Sequence, residues 1–192
     1  MTAEVFPPGV MKDGYYTGGG FDSVINFDFQ GNLTTILQAN RELAAAAGDL
    51  DPVYATQAAS NAEPSFGILS YASSHDTRLS FDSLGNDAGK QRQAGTALVL
   101  APGGVEISYG DESGRRAGPT LGDATQATRS DMNFTSTDTT ILEHWQKLGS
   151  FRKKHAAVGA GTHRRLDSPA GTYAFSRTLG DDVVVIILTG SR

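Results

Sequence analysis

The order of element types constrains this chain more than any other feature. Short apolar runs rich in β-branched and aromatic residues alternate with helix-compatible stretches through the first 155 positions, and then the helices stop. MTAEVF (1–6) is strand-like and PPG ends it, because proline cannot continue a ladder. FDSVINFDF (21–29) predicts a second strand, broken by QGN. LTTILQANRELAAAAG (33–48) predicts a helix, with Leu33, Ile36, Leu37, Leu43, Ala44 and Ala47 at near-helical spacing, Asn32 as N-cap and Gly48 as stop. SFGILSYASS (65–74) is nearly continuously apolar as far as Tyr71, the pattern of a strand buried on both faces. GKQRQAGTALVLAP (89–102) predicts a helix, and GGVEISYGDE (103–112) a further strand with acidic residues at its end. An aperiodic surface loop follows over 113–134. TDTTILEHWQKLGSFRKKH (137–155) then predicts the clearest helix, with Ile141, Trp145, Leu148 and Phe151 on one stripe and Asp138 placed to cap it.

The last forty residues change character. THRRLDS, GTYAFSRTL and DDVVVIILTG read as three strands joined by Pro-Ala-Gly and Gly-Asp turns, with no helix between them. Strands separated by helices imply right-handed parallel crossovers. Four such units make an α/β fold equal to half of an eight-stranded β/α barrel, and the tail adds a small antiparallel sheet.

Composition removes several function classes. A net charge of −5 argues against a general phosphate-backbone binder, which needs a basic face. No stretch approaches the roughly 18–20 consecutive apolar residues of a membrane span. The absence of cysteine excludes disulfides and thiolate metal sites while leaving the compartment open. TAEVFPPG after Met1 is neither a basic n-region nor an apolar h-region, so no secretion signal is expected in the chain as given.

In β/α barrels the chemistry sits on the loops that follow the strands. Here those positions hold Glu4, Asp28, His75 with Asp76, and Asp111 with Glu112. Four consecutive strands each end in a carboxylate, which points to a site whose work is done by acids. Glycoside hydrolysis is the commonest chemistry of that sort, since it needs one protonated acid and one ionised carboxylate about the sugar. Asp111 and Glu112 are expected to pair with Arg115 or Arg116. Trp145 reads as core rather than a sugar platform, and Arg152, Lys153 and Lys154 as a solvated helix end.

The motifs at these ends resemble the α-amylase family of glycoside hydrolases, and within it the periplasmic bacterial members. AEVF (3–6) is similar to the family's strand-five motif, SYASSHDTRL (70–79) to its strand-seven His-Asp motif, and GGVEISYGDESGR (103–115) to its strand-eight segment. HWQKLGSFRKKHAAVGAG (144–161) is similar to the last barrel helix and the entry into the C-terminal β-domain. The resemblance runs through the whole chain in order. It implies the second half of a (β/α)8 barrel over 1–157, strands five to eight, and a C-terminal β-domain over 158–192.

By this resemblance Glu4 is the general acid/base, Asp76 stabilises the oxocarbenium-like transition state through the sugar hydroxyls, and His75 binds the same sugar. Asp28 is structural, because strand six carries no invariant catalytic residue in the family pattern. The implied partner is an α-glucan or maltooligosaccharide, with neither nucleic acid nor membrane. The implied location of the complete parent is periplasmic or secreted. Calcium is expected for the complete family enzyme, with no cofactor and no metal ligand assigned in this chain.

The chain also departs from the pattern. The Gly-x-Arg-x-Asp motif that carries the family's nucleophile is absent, as is the strand-three Asp-x-x-x-Asn-His motif. Three expectations follow. The chain is a C-terminal part of an α-amylase; or a half-barrel that works alone or as a dimer, with Asp28 or Asp111 recruited as nucleophile; or a non-catalytic glucan-binding module. Half a parallel sheet also leaves two strand edges open to self-association.

Overall fold

The computed structural model describes residues 1–4, 21–60, 67–119 and 126–190. The proline break at 7–9, the last two residues of AEVF, Ser65 and Phe66, and positions 120–125 of the expected surface loop lie outside the described residues.

Two sheets organise the chain. Strands β1 (Thr2–Ala3), β2 (Ser23–Asn26), β3 (Gly67–Tyr71) and β4 (Gly104–Glu106) form a parallel sheet in chain order, with Ala3 opposite Val24, Asn26 opposite Ser70 and Tyr71 opposite Glu106. Helices α1 (Phe27–Gln38), α2 (Ala47–Ser60), α3 (Ser80–Ser83) and α4 (Ala88–Val99) lie between strands, and α5 (Thr139–Lys154) and the short α6 (Ala157–Ala160) lead out of the sheet. Strands β5 (Thr162–Leu166), β6 (Thr172–Leu179) and β7 (Asp182–Thr189) then form an antiparallel sheet. Four sequential parallel strands, with helices between β2 and β3 and between β3 and β4, are half of a β/α barrel, as the alternation predicts.

The expected second strand and first helix shift register. The strand ends at Asn26, whose Oδ1 accepts from the Phe29 amide at 3.2 Å, so Asn26 and not Asn32 is the N-cap. Phe29 starts a buried stripe continued by Leu33, Ile36 and Leu37. Its aromatic character, read from sequence as strand, serves a helix face instead. That helix stops near Asn40, which takes a left-handed φ of 55°. Ala47 belongs to the separate α2, where Leu50, Tyr54 and Gln57 share a buried face.

Helix α5 forms where the spacing places it. Asp138 Oδ1 accepts from the amides of Thr140 at 2.9 Å and Ile141 at 3.2 Å. Trp145 is core, and it leaves no room for a side chain at Gly95: a Cβ there would stand 2.4 Å from the indole. Arg152 corrects the solvated reading. Its Nη1 donates to the carbonyls of Val99 at 2.9 Å and Ala101 at 2.7 Å, and its Nη2 donates to Gly103, so it caps the open carbonyls at the end of α4. Lys153 and Lys154 are exposed.

One apolar core joins the two sheets, running from Phe29 and Leu37 through Leu98 and Trp145 to Tyr173, Phe175, Val184 and Ile186. The inward alternation of β6 and β7 supplies the last four, leaving Val183, Val185 and Ile187 on the outer face. At the seam, His163 of β5 pairs with Asp51 of α2 at 2.9 Å, and the Tyr173 hydroxyl donates to the same carboxylate at 2.8 Å.

Candidate active site

Parallel register brings the C-terminal ends of β1 to β4 to one rim, and the loops after them carry the acidic residues. Tyr71, the last residue of β3, marks the centre of this rim. Its ring is buried and meets Phe27 edge-on with centroids 5.9 Å apart. Its hydroxyl has no hydrogen-bond partner among the described residues. Burial, and then the charges of Glu106, Glu4 and Asp76, push the phenol up to about 12.

Glu4 follows β1 directly and is exposed. His75 and Asp76 sit in the loop after β3, with Nε2 of His75 3.1 Å from Oδ2 of Asp76. Asp76 Oδ1 also faces Arg129 Nη2 at 3.5 Å. The loop is closed on itself: the Ser74 amide donates to Thr77 Oγ1 at 2.8 Å and the Asp76 amide to Ser74 Oγ at 3.2 Å. Thr128 Oγ1 donates to the His75 carbonyl at 2.7 Å, tying the loop to the segment after β4.

The other acids lie elsewhere. Asp28 is exposed in the first turn of α1, where a carboxylate complements the helix dipole. Asp111 is buried, and its Oδ1 accepts from Ser73 Oγ at 2.6 Å. Burial, opposed by that hydrogen bond, pushes its carboxyl up to about 7. Neither Asp111 nor Glu112 makes the expected ion pair. Arg115 is buried and donates from Nε to Tyr109 O at 2.7 Å and from Nη1 to Thr128 O at 2.9 Å and Ser130 O at 3.0 Å. Its guanidinium also lies 3.8 Å over the Tyr109 ring. The cause is the turn between Gly110 (φ 90°) and Gly114 (φ 71°), which aims Arg115 at loop carbonyls. Glu112 Oε2 instead accepts from the Gly110 amide at 3.0 Å.

Ser73 and Thr128, which hold these loops, carry no sequence signal of that role beyond residue type, and Arg115, expected as an ion-pair partner, holds loop carbonyls instead. Among the described residues no three His, Asp or Glu side chains converge as a metal site requires. No helix among them is long and apolar enough to cross a membrane.

Comparison with known proteins agrees with this architecture. No family model matches the chain. The periplasmic α-amylase of Escherichia coli (strain K12) is 42% identical over 197 residues, which covers all of this chain and 26% of that protein. The chain thus spans about a quarter of the length of the curated relative it matches. The α-amylase from H. orenii superposes with a TM-score of 0.75 at 19% identity, over 97% of this chain and 42% of that one. The cyclic α-maltosyl-(1→6)-maltose hydrolase from Arthrobacter globiformis, solved in complex with maltose, superposes at 0.71 with 20% identity, over 97% of this chain and 40% of that one. These likenesses establish the half-barrel fold. Over its whole length, the motifs at the ends of β1, β3 and β4 included, the chain is similar to part of a periplasmic α-amylase.

Proposed function

We propose that this chain supplies part of the machinery that hydrolyses α-1,4-glucosidic bonds of starch or maltooligosaccharides with retention of configuration. The observation that carries the reading is the parallel register of β1, β2 and β3, which sets the strand end followed by Glu4 and the strand end followed by the His75–Asp76 loop on one edge of the sheet. Glu4 in its acid form protonates the departing glycosidic oxygen as the bond to the anomeric carbon breaks, and its carboxylate later takes a proton from the attacking water. Asp76 accepts hydrogen bonds from sugar hydroxyls that strengthen as the ring flattens, and His75 donates to the same sugar. The maltose in the Arthrobacter globiformis relative supports a glucan as the ligand.

A retaining glycosidase needs a second carboxylate roughly 5–5.5 Å from the acid across the sugar. Asp28 stands on a helix and Asp111 is sealed from solvent, so neither is offered as that group. The reading assigns the nucleophile, and any calcium ligands, to further polypeptide that pairs with the open edges of β1 and β4. A second copy of this chain carries no such aspartate motif, so the reading assigns that polypeptide to a different sequence. The periplasm is the compartment this reading implies. A half-barrel that binds glucan without cleaving it is the second reading, favoured by the lack of a described nucleophile.

One titration separates them. The chain is incubated with maltoheptaose while binding and new reducing ends are followed. Product that disappears in Glu4→Gln supports hydrolysis through Glu4, and product that survives the change places the acid elsewhere. Binding without product supports the second reading, and neither signal removes the glucan function from the chain.

A further inference from the structure

The acid that the chemistry above leaves unused is the one most deeply enclosed. Asp111 is 3% exposed, and its Oδ2 has no hydrogen-bond partner among the described residues. Its single side-chain hydrogen bond comes from Ser73, itself fully buried. Enclosing a carboxyl with half its hydrogen-bonding capacity unused is costly, and a purely structural contact to one hydroxyl needs no acid.

Position explains the choice. Ser73 stands two residues past the end of β3 and two before His75. Asp111 is held on the other side: Gln91 Nε2 of α4 donates to its carbonyl at 2.8 Å, and Ser80 Oγ donates to Gln91 Oε1 at 3.0 Å. The indole nitrogen of Trp145 in turn donates to the Gln91 carbonyl at 3.3 Å. A chain of buried polar contacts thus runs from the core helices through Asp111 to the root of the His75 loop. Beyond Ser73, the Thr128 contact to the His75 carbonyl is the second tether.

We propose that Asp111 is a positioning residue, which through the Ser73 hydroxyl fixes the loop that presents His75 and Asp76 to the sugar. The proposal rests on the glucan reading for its ligand, but the loop contact itself does not. At 2.6 Å the Ser73–Asp111 contact is as short as hydrogen bonds to carboxylates run. Asparagine at 111 retains a carbonyl acceptor for Ser73, whereas alanine removes it.

The test is amide hydrogen exchange of Ser74 and Asp76 in the full chain, with the amides of α5 as internal reference. Asp111→Ala and the milder Ser73→Ala are expected to speed exchange at both loop amides at least tenfold with α5 unchanged. Asp111→Asn is expected to stay within twofold of the unsubstituted chain. Loop exchange unaltered in both Ala variants overturns the proposal. So does an Asn variant as fast as alanine, or a uniform rise that includes α5. Calorimetry with maltoheptaose forms the second arm: Asp111→Ala is expected to weaken binding at least fivefold, with Asn restoring it. Equal binding in Asp111→Ala overturns the positioning role. If the unsubstituted chain binds no maltoheptaose, the glucan reading falls, and the exchange data alone decide whether Asp111 holds the loop.

Discussion

Two histidine–aspartate pairs in this chain have similar separations and opposite circumstances. His75 and Asp76 are adjacent in sequence, 3.1 Å apart, with side chains 67% and 59% exposed. His163 and Asp51 lie 112 residues apart in sequence and 2.9 Å apart in space, with side chains 3% and 16% exposed. The seam pair is held on every side. Arg177 Nε donates to His163 Nδ1 at 2.8 Å, so the ring's proton must sit on Nε2, facing Asp51. Tyr173 donates to the same carboxylate, and Arg177 Nη1 donates to the Val158 carbonyl at 2.9 Å. The rim pair has Arg129 on one carboxylate oxygen and both side chains open to solvent. Burial turns one pair into a joint between half-barrel and β-sheet, while exposure leaves the other able to meet a ligand.

The comparison breaks most sharply at Asp51. Asp51→Ala strips His163 and Tyr173 of their acceptor and removes a negative charge that acts on the buried Arg177 guanidinium. Leaving a buried donor without its acceptor costs about 1–3 kcal/mol for each of the two, which urea unfolding would register directly. A loss below about 1 kcal/mol would mean that the seam is no better held than a surface pair.

Acidity sharpens the contrast next. Burial, seconded by Arg177 and opposed by Asp51, holds His163 below its usual 6.5; Tyr54, Tyr173 and Phe175 complete its surroundings. Its contribution to stability is therefore present above pH 6.5 and is lost as pH falls through the lower folded value. Asp111 has the opposite sign. Its carboxyl is raised from 3.8 to about 7, so its contribution is present below 3.8 and is lost as pH rises through 7. Each group can tilt stability by at most about 1.4 kcal/mol per pH unit. Between pH 7 and 5 the two oppose each other. His163→Gln is expected to grow more stable on acidification, and Asp111→Asn to lose stability more steeply than the unsubstituted chain. Parallel urea midpoints for the two variants across that range would refute both assignments.

Smaller effects follow. Tyr173→Phe removes one hydrogen bond to Asp51 and is expected to cost about 1 kcal/mol in the same assay. Asp76→Ala, on the open rim, is expected to change stability by less than about 0.5 kcal/mol. In the maltoheptaose assay it should nevertheless abolish turnover if the rim is catalytic. An Asp76→Ala chain that unfolds more easily than Tyr173→Phe would reverse the distinction between the two pairs.

Much of the architecture was legible in advance because it depends on neighbours in sequence. The Asp138 cap, the stripe from Ile141 to Phe151 and the alternation in β6 and β7 are local patterns with fixed periods. The start of α1 was misread because Phe27, Asp28 and Phe29 suit a strand by type. Only the packing of Phe29 with Leu33 and Leu37 makes them helical. Helix α2 left a readable trace, with Leu50, Tyr54 and Gln57 at helical spacing, but Pro52 inside it obscures the pattern.

The amino-acid order alone determined the parallel half-barrel, the antiparallel tail and the rim on which Glu4, His75 and Asp76 would stand, since periodicity and chain direction dictate which strand ends coincide. Tertiary structure alone decided the partners: Ser73 for Asp111, His163 for Asp51, and the α4 carbonyls for Arg152. Such partners lie tens of residues apart along the chain. Which of many chemically equivalent donors and acceptors meet is settled only when packing excludes water and brings two of them within reach.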